Sequence, residues 1–222
     1  AERIVGEAPS TLRLMLPEMY LDKPGEAERI AAINATMDRY MADGTLESRG
    51  EGFVFVRRTV DGKTRSGLVV ALDLEQYDYS RGSETLIRAS EGTIVERIPP
   101  RLRIRKDAAL ELPHILVLID DPQHTVIEPL ADAATAGNRL YNFELMLGGG
   151  HIEGYMVRDA GRIQGVLRAL EALADPTRFA EQYGADKKPM LFAMGDGNHS
   201  FATAKANWEQ SPLRAQHGRS IG

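Results

Sequence analysis

Hydrophobic residues repeat at helical spacing in two long segments of the chain. The first segment is residues 26–42, and its apolar stripe consists of Ile30, Ile33, Met37, Tyr40 and Met41. The second is residues 162–174, and its stripe consists of Ile163, Val166, Leu167, Leu170 and Leu173. Asp43-Gly44 follows the first segment and Asp175-Pro176 follows the second, and such residues commonly end helices. We therefore predict a helix over each segment.

Other segments show the alternation or the short apolar runs that are typical of strands. Residues 52–74 contain two such runs joined at Asp61-Gly62. This pair is typical of a hairpin turn because glycine tolerates a positive φ. In residues 101–105 leucine and isoleucine alternate with arginines, which predicts a half-buried strand. Residues 114–130 repeat the hairpin pattern, with a turn near Asp121-Pro122.

The last apolar run stops at Gly195-Asp196-Gly197, and a helical pattern starts at Asn198. Because strands and helices are mixed rather than strictly alternating, we predict an α+β fold. We expect a mixed, largely antiparallel sheet with flanking helices, and we interpret residues 1–222 as a single domain. Because the chain begins with Ala1 and stops soon after a helix, we expect a fragment truncated at both ends.

Composition narrows the class of protein. The chain is 43% hydrophobic and 27% charged, which is typical of a soluble globular domain. No apolar stretch is long enough to cross a bilayer, so we expect no membrane partner. The lack of cysteine excludes disulfides and thiolate metal sites and fits a cytoplasmic protein. The net charge of −5 argues against general nucleic-acid binding, and no pattern sets an oligomeric state.

The turn that joins the last strand to the last helix is a candidate anion site. The first amides of a helix have no partner within the helix, and the helix dipole favours negative charge there. Gly195 and Gly197 would let the backbone approach a phosphate closely. The side chains of Asn198, His199 and Ser200 can add hydrogen bonds.

Asp196 would repel a bare phosphate, so we expect it to hold a magnesium ion or to orient a hydroxyl. The alternative is structural, because Asn198 or Ser200 could simply cap the helix. Neither GxxxxGK[ST] nor GxGxxG occurs in the chain, so this is not a standard nucleotide fold.

Residues 81–106 concentrate positive charge, with seven basic and three acidic residues and a local charge of +4. The basic residues are Arg81, Arg88, Arg97, Arg101, Arg103, Arg105 and Lys106, and the acidic ones are Glu84, Glu91 and Glu96. A cationic patch on an acidic chain suggests a small polyanion, and guanidinium groups match phosphate and carboxylate geometry. One of the glutamates could accept a proton from a substrate hydroxyl. A solvated strand face with salt bridges is the alternative.

Two further groups are weaker candidates. Asp120, Asp121 and Glu128 could bind a divalent cation, although Asp-Asp-Pro is an ordinary turn sequence and we prefer that interpretation. Residues 148–155, GGGHIEGY, could offer backbone amides and His151 to a ligand, or could form a plain loop. The five histidines never fall at metal-ligand spacing, so we do not expect zinc.

Six stretches together resemble one family of bacterial and archaeal proteins, the domain of unknown function 1015. They are APSTLRLMLPEMYL, GLVVALDLEQYDYSRGSETLIRASEGTIVERIPPR, LELPHILVLIDDP, TVIEPL, GGGHIEGY and FAMGDGNHSFATAKANWE. The resemblance extends from about residue 8 to residue 209 and is specific as a set.

The family carries an Asp-Gly-His-His-Arg type signature that resembles the loop-to-helix box of the ParB/sulfiredoxin-like superfamily. That superfamily includes nucleotide-hydrolysing partition proteins, sulfiredoxin and free-serine kinases, and its box grips nucleotide phosphates. Here the box is Asp196-Gly197-Asn198-His199-Ser200, with Ser200 where many relatives have arginine. The resemblance therefore implies a ParB/sulfiredoxin-like phosphate-binding strand-turn-helix near the C-terminus.

A second family pattern, approximately Arg-His-Glu-x-Thr, appears here as residues 88–93. Its carboxylate, Glu91, is similar in placement to the catalytic glutamate of the free-serine kinases. Family members tend to lie beside serine-biosynthesis genes, which implies serine or phosphoserine as the substrate. On this interpretation Arg88, Thr93 and Arg101 contact the substrate, and His199 joins Glu91 and Asp196 as a catalytic residue.

These observations predict a nucleotide-dependent phosphotransferase acting on a small hydroxylated metabolite, with ADP/ATP and Mg²⁺ as cofactors. The most specific form is a serine kinase or a phosphoserine:ADP phosphotransferase of serine metabolism. One alternative is a ParB-like nucleotide-binding switch or NTP hydrolase without a metabolite substrate. Another is a non-enzymatic protein whose arginine-rich strand binds a partner or nucleic acid.

Overall fold

The computed structural model describes residues 5–211 and residue 214. The helices are α1 (Glu26–Ala42), α2 (Ile98–Arg105), α3 (Ala160–Leu173), α4 (Pro176–Tyr183) and α5 (Asn198–Gln210). The strands are β1 (Phe53–Val60), β2 (Lys63–Val69), β3 (Tyr77–Asp78), β4 (Ile87–Arg88), β5 (Leu116–Leu118), β6 (Arg139–Glu144), β7 (His151–Val157) and β8 (Phe192–Asp196). Short 3₁₀ helices cover Thr11–Leu14, Glu18–Tyr20, Leu74–Gln76, Val95–Arg97, Glu128–Ala133, Ala136–Asn138 and Met146–Gly148.

The first sheet is antiparallel throughout, with strand order β2-β1-β7-β6. Asp61 and Gly62 join β1 to β2 with φ values of 50° and 74°. Positive φ at both central residues is the geometry of a hairpin turn that matches strand twist. The predicted hairpin in residues 52–74 is confirmed.

The second sheet is mixed, with strand order β3-β4-β8-β5. Strands β3, β4 and β8 are parallel, whereas β5 runs antiparallel to β8. The carboxyl ends of the three parallel strands therefore lie at the same edge of this sheet. The α+β class is confirmed, although the strands form two sheets rather than the one that we expected.

Three hydrophobic clusters hold these layers together. In the first, Phe55, Tyr155 and Val157 of the antiparallel sheet pack against Leu130 and Val166. The second is formed by the mixed sheet with α2 and α5, and its buried members are Tyr77, Ile87, Ile98, Phe192, Met194, Phe201 and Ala202. The third, around α1, contains Leu14, Ile33, Met37 and Tyr40. Burying each large apolar side chain stabilises the fold by about 1.5–3 kcal/mol.

The helices predicted over residues 26–42 and 162–174 are confirmed as α1 and α3. The strand predicted over residues 101–105 is wrong, because this segment is the end of α2. Two prolines stand in the first turn of α2, where their missing N–H groups cost nothing. Ile98 is buried and Leu102 is half-buried, which is the i, i+4 spacing of a helix face.

The hairpin predicted over residues 114–130 is also wrong. Only β5 forms there, and its partner is β8. The Asp121 carboxylate accepts hydrogen bonds from the amides of Thr125 and Val126 at 2.7 and 2.8 Å. These bonds turn the chain into a 3₁₀ helix instead of a returning strand. Asp121 therefore serves the turn, as we preferred over cation binding.

Among the helices in the described part of the chain, none is long and apolar enough to span a bilayer.

Candidate functional site at the carboxyl ends of β4 and β8

The two predicted motifs, residues 88–93 and 196–200, lie at one edge of the mixed sheet, where strands β4 and β8 end. They are adjacent and parallel, so the chain leaves both at the same edge. After β4 it enters residues 89–94, and after β8 it enters the turn at Gly197 and then α5. In open sheets with parallel strands, ligands bind outside the carboxyl ends of the strands.

Three hydrogen bonds join these two segments directly. The Ser90 amide donates to Asn198 Oδ1 at 3.2 Å, and Asn198 Nδ2 donates to Ser90 Oγ at 3.3 Å. The Ile94 amide donates to His199 Nε2 at 3.1 Å. Asn198 is 5% exposed, so its amide group is held inside the contact. The segment that carries Glu91 is therefore fixed beside the start of α5.

The first turn of α5 has no side-chain cap. Gly197 is the residue before the helix, with φ 86° and ψ 26°. As a glycine it has no side-chain group that could accept a hydrogen bond from the first amides. The capping alternative for Asn198 or Ser200 is therefore wrong. In the part of the chain that the structure describes, no acceptor lies within hydrogen-bond reach of the amides of residues 198–200. These donors have no partner in the described protein, so an acceptor placed beside them would be bound favourably.

Two features force a glycine at position 197. Its φ of 86° lies in the left-handed region, which costs other residues roughly 1–2 kcal/mol. A Cβ there would also lie 3.0 Å from the His114 carbonyl oxygen and 3.3 Å from Ile115 Cα. Gly195, which precedes the turn, is exposed to solvent.

Asp196 is exposed at the end of β8, and its Oδ1 accepts from the Gly197 amide at 2.8 Å. Among the described residues, no three His, Asp or Glu side chains converge in a way that could hold a metal ion. A magnesium ion on Asp196 would therefore need water and ligand phosphate oxygens to complete its shell, which is how Mg²⁺ commonly binds.

Glu91 and Thr93 lie on the segment that faces the α5 turn. Glu91 is exposed, and its carboxylate makes no hydrogen bond or ion pair with the described residues. The Thr93 hydroxyl oxygen is buried and has no hydrogen-bond partner among the described residues. A buried hydroxyl without a partner is uncommon, and it marks a place where a ligand or water group would be stabilised.

Arg88 lies on the other face of the mixed sheet. It is opposite Ala193 in the register, whereas Ile87 is opposite Phe192. Because side chains alternate along a strand, and Ile87 and Phe192 pack with Phe201 of α5, Arg88 faces away from α5.

The Arg88 guanidinium is occupied by backbone carbonyls. Nε donates to Thr85 O at 2.7 Å, and Nη2 donates to the carbonyls of Glu84, Lys188 and Pro189 at 2.9, 3.2 and 2.8 Å. These bonds give Arg88 a structural task, which is to hold the two loops that lead into β4 and β8.

The other arginines of residues 81–106 are largely paired with acids. Arg101 Nη2 donates to Glu18 at 3.2 Å and Arg103 pairs with Asp22 and Glu26. The exposed arginine strand that we considered as a partner surface does not exist, because these residues lie on α2.

Sequence reasoning missed Ser90 and Arg105 as members of the site. Arg105 Nη1 donates to the Ser200 carbonyl at 2.7 Å, and its guanidinium also pairs with Glu111. The side chain of Arg105 is only 11% exposed, so a nearly buried cation supports the first turn of α5. No local pattern signals the contacts with α5, because Ser90 is 108 residues from Asn198 and Arg105 is 95 residues from Ser200.

No curated protein and no solved structure matches the chain. Residues 1–220 match the model of a family described as a protein of unknown function, DUF1015. The match spans nearly the whole chain, so the protein belongs to the DUF1015 family.

Proposed function

We propose that this protein is a nucleotide-dependent phosphotransferase that moves a phosphoryl group between ADP/ATP and serine or phosphoserine in the cytoplasm. One observation carries the proposal. The hydrogen bonds that join Ser90 with Asn198, and the bond that the Ile94 amide donates to His199, hold the Glu91 segment against the uncapped start of α5. A carboxylate and a set of backbone amides without a described partner thus lie at one edge of the sheet.

The unpartnered backbone amides of residues 198–200 are the proposed site for the nucleotide phosphates. They carry the positive end of the α5 dipole, and Gly197 allows close approach of the backbone. Asp196 would hold Mg²⁺ together with phosphate oxygens. This arrangement is the one implied by the resemblance to the ParB/sulfiredoxin-like box, and that likeness is part of the proposal.

Glu91 is the proposed base. In the direction of serine phosphorylation it accepts the proton of the serine hydroxyl as that oxygen attacks the γ-phosphorus and the bond to ADP breaks. In the reverse direction a β-phosphate oxygen of ADP attacks phosphoserine, and Glu91 returns the proton to the leaving serine oxygen. A positioned base typically contributes 10²–10⁴-fold to the rate. The exposed carboxylate, with no described protein partner, supports this role.

His199 has a positioning role in this proposal. Its Nε2 accepts the Ile94 amide, so the proton of the neutral ring is on Nδ1, and only Nδ1 remains for a ligand. The buried Thr93 hydroxyl is the proposed substrate contact on the same segment. The proposal does not require Arg88 or Arg101, because both guanidinium groups are already bound by protein acceptors.

The test is an exchange assay with purified protein, ADP, phosphoserine and Mg²⁺. We expect ATP and serine to form in equal amounts. Product formation should stop when phosphoserine is omitted, and the reverse reaction should consume serine and ATP. Hydrolysis of ATP or CTP at a rate that serine does not change would instead identify a nucleotide switch or hydrolase. Such a protein needs the α5 turn for the nucleotide phosphates but no metabolite that accepts the phosphoryl group. No exchange and no nucleotide turnover would refute both functions.

A further inference from the structure

A cavity lies beside the end of β7 in the antiparallel sheet. Its volume is about 380 Å³, within the usual range for small-molecule sites. Arg49, Arg139 and Arg158 are among the residues that line it, and the buried Met156 lies between them on β7. We call it the arginine cavity.

Strand pairing brings three separate segments to the arginine cavity. Phe53 is opposite Val157, so the residues before β1 pass the end of β7, where Arg158 follows directly. On the other side of β7, Arg139 at the start of β6 is opposite Tyr155. The three arginines therefore line one cavity although they are far apart in the sequence.

Gly50 and Gly52 leave room for the side chain of Arg158. Gly50 has a φ of 78°, and a Cβ there would lie 3.4 Å from Arg158 Nη2. A Cβ on Gly52 would lie 2.5 Å from the Val157 carbonyl oxygen and 3.4 Å from Arg158 Cγ. The Arg158 side chain thus runs along the segment before β1, and its guanidinium lies beside the residue that follows Arg49.

The positive charge of the arginine cavity is largely uncompensated. No Asp or Glu is among the described residues that line it. Arg139 and Arg158 make no hydrogen bond or ion pair through their side chains within the described part of the chain. Arg49 pairs with Glu47 at 3.0 Å, but both side chains are more than half exposed, so solvent screens this pair. Two positive charges thus have no described partner, although the whole chain has a net charge of −5.

A phosphate group matches the arginine cavity in charge and in geometry. At pH 7 a phosphomonoester carries about −1.5 to −2 charges and has three strong acceptor oxygens. Guanidinium groups donate pairs of parallel hydrogen bonds to such oxygens. A single carboxylate would balance only one of the two unpaired charges. The described lining contains no aromatic ring, so a nucleotide base would have no surface on which to stack.

We propose that the arginine cavity binds the phosphate group of a small molecule, either inorganic phosphate or a phosphomonoester. It is a second phosphate site, because it is built on the antiparallel sheet and shares no residue with the site at the first turn of α5. The inference does not depend on the proposed function.

The test is an NMR titration with inorganic phosphate at constant ionic strength, followed on the Nε–H signals of the arginine side chains. We expect the signals of Arg139 and Arg158 to shift together with one dissociation constant. Arg168 is the internal control, because it is an exposed arginine on α3 that does not line the cavity, and its signal should stay in place. A parallel titration with phosphoserine distinguishes the two sources of the phosphate group, since tighter binding than inorganic phosphate would identify a phosphomonoester as the ligand.

Arg158→Gln should weaken phosphate binding about tenfold when it is followed on the Arg139 signal, because it removes a charged donor. Arg158→Lys keeps the charge but loses the planar pair of donors, so it should weaken binding by about threefold. Arg139→Gln, followed on the Arg158 signal, should behave like Arg158→Gln, and Arg168→Gln should stay within twofold of wild type. Thermal melts should be unchanged in all these variants, since the side chains are exposed.

Three results would overturn the proposal. The first is that phosphate shifts neither the Arg139 nor the Arg158 signal. The second is that Arg158→Gln and Arg139→Gln bind phosphate as tightly as wild type. The third is that sodium chloride shifts the same two signals as strongly as phosphate does, because the cavity would then attract anions in general without recognising a phosphate group.

Discussion

The two ends of α5 differ in how their polar groups are satisfied. Near its C-terminal end, Glu75 accepts from Trp208 Nε1 at 2.7 Å and from Arg214 Nε at 2.8 Å, and Lys205 Nζ lies 3.7 Å away. At its N-terminal end, Gly197 offers no cap and the first amides have no acceptor in the described chain. Side chains near the C-terminal end are thus paired with Glu75, whereas the first backbone amides have no partner among the described residues.

This difference separates structural polar clusters from candidate binding sites. A further closed cluster lies on the antiparallel sheet, where Glu153 accepts from Arg57, Asn142 and Tyr155 at 2.8–3.0 Å. Burial raises the pKa of Glu153, but the hydrogen bonds from Tyr155 and Arg57 together with the nearby charge of Arg57 outweigh it, and the pKa is lowered overall. A carboxylate with three protein donors has little capacity left for a ligand, whereas open helix amides have all of theirs.

The polar groups of residues 148–155, GGGHIEGY, are also paired within the protein. Residues 151–157 form β7, so the plain-loop alternative holds only for the glycines before the strand. His151 Nδ1 pairs with Glu144 at 2.6 Å, and the ring of Tyr141 lies against Gly154 where a Cβ would otherwise be. The backbone and side chains of this motif serve the sheet.

The largest effect expected at the open end is on the rate of phosphoryl transfer. Glu91→Gln should lower kcat for ATP formation from ADP and phosphoserine on the order of 100-fold or more, because the amide cannot take the hydroxyl proton. Folding should be unchanged, since the carboxylate is exposed. Glu96→Gln is the control, an exposed acid close by in the sequence. A Glu91→Gln enzyme with near-normal turnover would remove this residue as the base.

Gly197→Ala should affect both stability and nucleotide affinity. The left-handed φ should cost roughly 1–2 kcal/mol, and the contact with the His114 carbonyl should add to this. Gly62→Ala is a matched control, because φ is 74° there and a Cβ would meet open space. Urea unfolding should show a larger loss for Gly197→Ala. Weaker ADP binding should appear for this variant alone, and equal affinities in both variants would argue against phosphate binding at the turn.

Asn198→Ala should detach the Glu91 segment from α5. Losing two hydrogen bonds should destabilise the protein by about 1–2 kcal/mol. We expect kcat to fall several-fold with little change in ADP affinity, because the open amides remain. Ser90→Ala keeps the backbone bond to Asn198 Oδ1 and should lose about half as much stability. If Asn198→Ala left kcat unchanged, the contact would hold the fold but not the catalytic geometry.

Local patterns predicted most of the elements that position the site. The helices over residues 26–42 and 162–174, the hairpin at Asp61-Gly62 and the strand-turn-helix at 195–200 all depend on spacing within one short segment. The prediction for residues 101–105 failed because a short helix showed the alternation of apolar and polar residues that is typical of a strand. The prediction for residues 114–130 failed because the Asp121 side chain turns the backbone where a second strand was expected.

Long-range partners were beyond the sequence. The charge of Arg88 suggests a phosphate, but its donors are bound by carbonyls of residues that lie up to 101 positions away. Whether Arg88 or Ile87 faces α5 depends on which way β4 lies against β8, and no local rule sets that choice. The link between Ser90 and Asn198 is hidden for the same reason.

The smallest effect concerns the closed end of α5 and its dependence on pH. Hydrogen bonds from Arg214 and Trp208, with the nearby charge of Lys205, lower the pKa of Glu75 to about 2. The ordinary pKa of a glutamate, which we take for the unfolded chain, is 4.5. The folded state therefore binds fewer protons than the unfolded state between these values, and stability falls as the pH falls through this window.

Glu75→Gln has no such carboxylate, so its loss of unfolding free energy relative to wild type should be largest above pH 4.5 and should shrink toward pH 2. Urea unfolding at pH 6 and pH 3 measures this, with Glu181→Gln on α4 as an exposed control. A deficit that stayed constant across this range would mean that packing of the side chain, rather than its charge, closes this end of the helix.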